Sequence, residues 1–133
     1  MAMEKPYRIL IIDDSKVILG TYNKFFTKKN YDVLTASNGL DGLKVIESDA
    51  QGIDLVITDI VMPNISGAGV ISILKKKYPD IPVIAITGWG AHPTTLASEA
   101  EADLILGKPI DLIELEATIK KMLSRNREKV DNP

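Results

Sequence analysis

The sequence contains no cysteine. It therefore has no disulfide framework, no thiolate nucleophile and no cysteine-ligated metal centre, and the absence fits a reducing compartment. Nor does it carry a large excess of charge of either sign: 16 Lys and Arg against 18 Asp and Glu leave a formal net charge of −2. Direct nucleic-acid binding needs a concentrated basic stripe and is not expected. The Lys75-Lys76-Lys77 run reads instead as the solvated end of a helix, a place favoured for cations by the helix dipole. No apolar run reaches the ~18 residues of a membrane span. The opening stretch, Met1 to Tyr7, includes Glu4, Lys5 and Pro6 and lacks the apolar centre of a signal peptide. A cytoplasmic address with no membrane contact is the expectation.

What is present is enough for one domain. The chain has 133 residues, long enough for a real core and too short for two. It is organised around the stretch from Asp54 to Pro63. Leu55 to Thr58 are apolar or β-branched without polar alternation, as in a strand buried on both faces of a parallel sheet. That strand delivers a carboxylate, Asp59, at its carboxyl end, and Pro63 stops its continuation. Ligands of open α/β sheets bind just beyond such ends. On its own, Asp59 reads equally well as a loop acid or a helix cap.

Ile9 to Ile12 form a second apolar run, ending in the adjacent acids Asp13 and Asp14. Their mutual repulsion calls for a cation or solvent. Ser15 is placed to cap a helix with Ile18, Tyr22, Phe25 and Phe26 on one face. Gly20 lies inside it at ~1 kcal/mol against alanine, which predicts a packing reason. Tyr31 to Ala36 read as a strand nearer an edge. Asn38 then caps a helix expected to turn Leu40, Leu43 and Ile46 inward. Beyond Pro63, Asn64 and Ser66 introduce a helix carrying Val70, Ile71, Leu74 and Tyr78, ended by Pro79. Ile81 to Thr87 repeat the buried-strand pattern and finish on a hydroxyl. Gly88-Trp89-Gly90 follow as a loop whose glycines are free to take positive φ. A short helix is expected from Pro93 to about Glu101, and Leu104 to Leu106 make a fifth strand leading to Lys108. Asp111 and Glu114 resemble a capping box for a last helix with Leu112, Leu115, Ile119 and Met122 inward. The domain is expected over 7–125, with 1–6 and 126–133 as tails or a linker stub. Strands and helices alternate as (βα)5, an α/β class with a doubly wound five-stranded parallel sheet.

Four strand ends each hand over a polar group: Asp13 with Asp14, Asp59, Thr87 and Lys108. Singly, each has an ordinary explanation as a charged turn, a β-former or a surface lysine. Together they make an oxygen-rich site that suits Mg²⁺ and is poor for zinc. A lysine and a hydroxyl are the remaining parts needed to hold phosphoryl oxygens. The chemistry indicated is phosphoryl transfer to a carboxylate, with an aspartyl phosphate as product. A dehalogenase-type phosphatase would need a second aspartate where Val61 stands. A flavin binder would want a phosphate-cradling loop after the first strand, where Asp13 and Asp14 would repel phosphate.

Asp13-Asp14, Asp59 with Met62-Pro63 and Gly67, Thr87, and Lys108-Pro109 resemble, in order and spacing, the receiver domain of two-component response regulators. The resemblance spans roughly residues 7 to 125. It implies a flavodoxin-like fold with strand order 2-1-3-4-5. It also implies a phosphorylation-activated switch rather than an enzyme, accepting a phosphoryl group on Asp59 and sharing in its own dephosphorylation. The donor would be a sensor histidine kinase, a histidine phosphotransfer protein or a small phosphodonor. Asp14, Asp59 and the carbonyl of Val61 resemble direct Mg²⁺ ligands, with Asp13 acting directly or through water. Lys108 resembles the phosphoryl partner, before a cis bond to Pro109, and Thr87 the switch hydroxyl. Further partners implied are a downstream effector and a phosphorylation-dependent homodimer.

Two positions depart from the family pattern. Ile105 stands where an aromatic usually reports phosphorylation, and Glu101 stands where a glycine is usual. A left-handed Glu101 would carry strain. The alternative reading, a receiver-like interaction module independent of phosphorylation, rests on Ile105.

Overall fold

The computed structural model describes residues 5–49, 52–60, 62, 66–88 and 101–131. Five strands, β1 (Arg8–Ile12), β2 (Asp32–Ala36), β3 (Leu55–Asp59), β4 (Val83–Thr87) and β5 (Leu104–Gly107), form one sheet. All the pairings are parallel, in the order β2-β1-β3-β4-β5. Helices α1 (Lys16–Lys28), α2 (Gly39–Asp49), α3 (Gly67–Lys77) and α4 (Leu112–Asp131) connect and cover it. The expected helix from Pro93 lies outside the described residues.

Successive residues of a strand face opposite ways, so the central strands feed two cores. Leu10, Ile12, Val56, Val83 and Ala85 pack with Ile46 of α2 and Val70, Ile71 and Leu74 of α3. Ile9, Ile11, Leu55, Ile57, Ile84 and Ile86 pack on the other face with α1 and α4. Every residue of β3 and β4 is buried, whereas β2 and β5 are largely half-buried edges.

The helix ends follow side-chain chemistry. Ser15 accepts the Ile18 N–H at 3.3 Å and Ser66 the Gly69 N–H at 3.2 Å. Asn38 accepts the Asp41 N–H at 2.8 Å, and Asp111 accepts from Ile113 and Glu114 at 2.9 and 3.2 Å. At the end of α1, Asn30 takes a left-handed φ of 69°. The Asn30 and Tyr31 N–H groups there return to Thr27 and Phe26, closing a Schellman motif.

Four expectations need correction. Leu40 does not face inward: it is 52% exposed, and Gly39, Gly42 and Ile46 are the buried positions of α2. The cause is close approach, since a Cβ on Gly42 would meet the Ile12 side chain at 2.4 Å. Lys75 is not a solvated helix end. It is largely buried and donates to the carbonyls of Pro79 and Ile81 and to Asp103. The last helix does not end in a tail from 126: it runs on to Asp131, and Leu123 joins Leu115 and Ile119 as a buried position beside the half-buried Met122, which packs on the same core. Finally, Gly20 has no packing reason among the described residues, because nothing lies within 4 Å of an added Cβ. Gly20→Ala should therefore stabilise the chain by ~1 kcal/mol, read as a higher urea midpoint. A lower midpoint would show that the open face of α1 is in fact occupied.

Glu101 does adopt the left-handed conformation, with φ 69°. A side chain with a Cβ is disfavoured there by roughly 1–2 kcal/mol. No helix among the described residues is long and apolar enough to cross a membrane.

Candidate phosphoryl-acceptor site

The carboxyl ends of β1, β3, β4 and β5 meet at one edge of the sheet, and the reversal of strand order between β1 and β3 opens the crevice there. β1 passes directly into Asp13 and Asp14, and β3 ends on Asp59. Asp13 and Asp59 are buried, while Asp14 is exposed. Each of the three offers a carboxylate oxygen, and these oxygens lie within 4.8 Å of one another.

Lys108 reaches in from β5. Its Nζ lies 3.2 Å from Asp59 Oδ2. The placement is fixed by the sheet register: Asp59 pairs with Ile86, Thr87 pairs with Gly107, and the Lys108 N–H donates to the Thr87 carbonyl at 2.9 Å. Thr87 itself is buried. The Lys108–Pro109 peptide is cis, as the resemblance implied. Val61, Pro63 and Trp89 lie outside the described residues. Gly88 does not use a positive φ.

The electrostatics of the cluster centre on Asp13. Burial pushes its carboxyl up from the usual range, opposed by the Ser15 N–H that it accepts at 2.8 Å. Asp59 and Asp14 raise it further and Lys108 lowers it. Concentrated negative charge on oxygen ligands alone, with one member held at a desolvation cost, fits a hard divalent cation such as Mg²⁺.

Gly67, part of the motif that carries the resemblance, and Tyr22, read from sequence only as core, both lie close to the site. Gly67, the first residue of α3, sits against the acceptor's own backbone. A Cβ there would lie 1.9 Å from the Asp59 carbonyl oxygen and 2.7 Å from Ile60 Cα. Tyr22 read as core, and it is buried. Yet its phenol is pushed up to about 12, by burial first and then by Asp13 and Asp59. The only sequence signal was a hydroxyl in an apolar helical stripe soon after two strand-end acids.

Comparison with known proteins places this arrangement. The family model for the response regulator receiver domain matches residues 9–120. The response regulator SaeR of Staphylococcus epidermidis is 35% identical over 118 residues, covering 88% of this chain and 50% of that protein. The chain spans about half or less of the length of the curated relatives it matches. A response regulator receiver domain protein from Clostridium thermocellum superposes with a TM-score of 0.85 at 34% identity, covering 91% of this chain and 97% of that one. The response regulator TrrA of Thermotoga maritima, solved in complex with Mg²⁺ and BeF, gives 0.77 at 36% identity, covering 86% and 97%. With its acids, lysine and hydroxyl at the carboxyl edge of a 2-1-3-4-5 sheet, this chain belongs to the receiver domain family of two-component response regulators.

Proposed function

We propose that the chain is a phosphorylation-activated switch in which Asp59 accepts a phosphoryl group from a phosphohistidine or a small phosphodonor. The observation that carries this is the Asp59–Lys108 pair at 3.2 Å beside two further carboxylates. The Asp59 carboxylate is the nucleophile and attacks phosphorus in line with the departing group. Lys108 then passes from the carboxylate to a phosphoryl oxygen. Thr87, at the adjacent strand end, turns its hydroxyl towards the new group and draws the following loop with it. Asp13, Asp14 and Asp59 would hold Mg²⁺, with the Val61 carbonyl as the further ligand that the family resemblance implies. When bound, the ion offsets the repulsion among the carboxylates and neutralises charge on the phosphoryl oxygens. The chain acts as a switch without turnover, taking part in its own phosphorylation and self-dephosphorylation. Acetyl phosphate with Mg²⁺ should add the mass of one phosphoryl group. An unchanged intact mass favours the phosphorylation-independent module, which Ile105, half-buried against the α2–α3 core, leaves as the second reading.

Exposed apolar surface supports a docking face for the donor. Val17 and Ile113 are 80% and 74% exposed, in the first turns of α1 and α4. Both helices start from the site edge and pack on the same face of the sheet. A sensor histidine kinase or histidine phosphotransfer protein docks there, in the cytoplasm, and a downstream effector or a second copy reads the phosphorylated state. Val17→Glu with Ile113→Glu should slow transfer from a phosphorylated histidine phosphotransfer domain by roughly tenfold or more, as loss of ~1.4 kcal/mol of contact would do. Labelling by acetyl phosphate should be unchanged. Equal slowing with both donors would place the docking face elsewhere.

A further inference from the structure

A groove of about 650 Å³ lies beside the acceptor, lined among the described residues by Ile18, Tyr22, Gly88, Lys108, Pro109 and Ile110. Its wall includes Lys108, whose Nζ is 3.2 Å from Asp59 Oδ2, so the groove adjoins the reacting atoms. Tyr22 belongs to α1 and is held from behind by an edge-on contact with Phe26, at 6.4 Å between ring centroids. Apart from the Lys108 ammonium and the Tyr22 hydroxyl, the side chains of this lining are apolar. The volume falls within the ~300–1,000 Å³ usual for small-molecule sites.

We infer that this groove seats the leaving group of the phosphodonor, and that Tyr22 selects a planar nitrogen heterocycle there over a carboxylate. The inference rests on Asp59 being the acceptor. The leaving group's charge decides the preference. A carboxylate released from an acyl phosphate departs as an anion, which apolar walls disfavour, and the nearby ammonium is already engaged with Asp59. A phosphoimidazole protonated on its far nitrogen departs neutral. An Asp59 oxygen forms the P–O bond, the P–N bond breaks, and its electron pair stays on the ring nitrogen. The far N–H keeps its proton and donates to the Tyr22 oxygen. The phenol, pushed up to about 12 by burial and then by Asp13 and Asp59, stays protonated at neutral pH and has a lone pair free to accept.

The test compares phosphoimidazole with acetyl phosphate, each with Mg²⁺, on the wild type and Tyr22→Phe. Phenylalanine keeps the ring packing and removes only the hydroxyl. The labelling rate with phosphoimidazole should fall about tenfold, the effect of losing one hydrogen bond to a charged donor. The rate with acetyl phosphate should stay within about twofold, so that the ratio of the two changes. Tyr22→Leu, which also opens the wall, should lower the ratio at least as far. Equal losses with both donors would make Tyr22 merely structural, and unchanged rates would empty the groove of this role. Either overturns the inference while leaving Asp59 as acceptor. Wild type unlabelled by both donors would overturn the acceptor reading as well.

Discussion

Asp59→Asn is expected to leave the chain wholly unlabelled by acetyl phosphate and Mg²⁺, with a melting temperature close to wild type. The amide is nearly isosteric with the carboxylate and still offers Lys108 an oxygen to bond, so the buried end of β3 keeps its packing. What it loses is the negative nucleophile. The amide oxygen has little affinity for phosphorus, and no neighbouring group can be ionised to replace it at that position. Intact mass and label incorporation check this together. Persistent Mg²⁺-dependent labelling of the variant would move the acceptor to Asp13 or Asp14, the other carboxylates of the cluster.

Gly67→Ala is the second large effect expected, and it acts through the backbone. The added methyl would sit 1.9 Å from the Asp59 carbonyl oxygen, a contact with main chain that no rotamer change relieves. Either α3 withdraws from the sheet or the end of β3 shifts. Overpacking of this kind destabilises by typically 1–3 kcal/mol. Because the shifted atoms belong to the acceptor residue, labelling should fall further than stability alone explains. A displacement of about 1 Å at reacting atoms lowers rates by ~10²-fold. Ser66→Ala separates the two causes. It removes the cap that accepts the Gly69 N–H, at a cost of ~1 kcal/mol, without touching Asp59. Labelling rate of the folded variant should hold for Ser66→Ala and collapse for Gly67→Ala. Parallel behaviour of the two would mean that the close approach at Gly67 serves only stability.

The parts of the molecule that were legible in the sequence are those whose physics is local. β1, β3 and β4 are buried on both faces, so their apolar runs carried no competing pattern, and their ends announced Asp13, Asp14, Asp59 and Thr87. Caps at Ser15, Ser66 and Asp111 were legible because the side chain bonds its own helix. What could not be read was set by distant neighbours. The phase of α2 turned on Gly42 pressing against Ile12, which no periodicity within α2 reveals. Lys75 looked like its two neighbouring lysines, yet the carbonyls of Pro79 and Ile81 and the carboxylate of Asp103 draw it in. Tyr22 fitted an apolar stripe, and only the fold brings its hydroxyl under the influence of Asp13 and Asp59. Glu101 gave a correct warning: its left-handed backbone is a departure the sequence showed and the structure retains.

The central claim, that the Asp59 carboxylate is the nucleophile, is tested most directly by locating the bond it forms. After incubation with acetyl phosphate and Mg²⁺, borohydride reduction converts an aspartyl phosphate to homoserine, and peptide mass spectrometry then reads its position. Homoserine at position 59 alone, lost when Mg²⁺ is chelated, is the expected result. Homoserine at position 13 or 14, or at none, would contradict it.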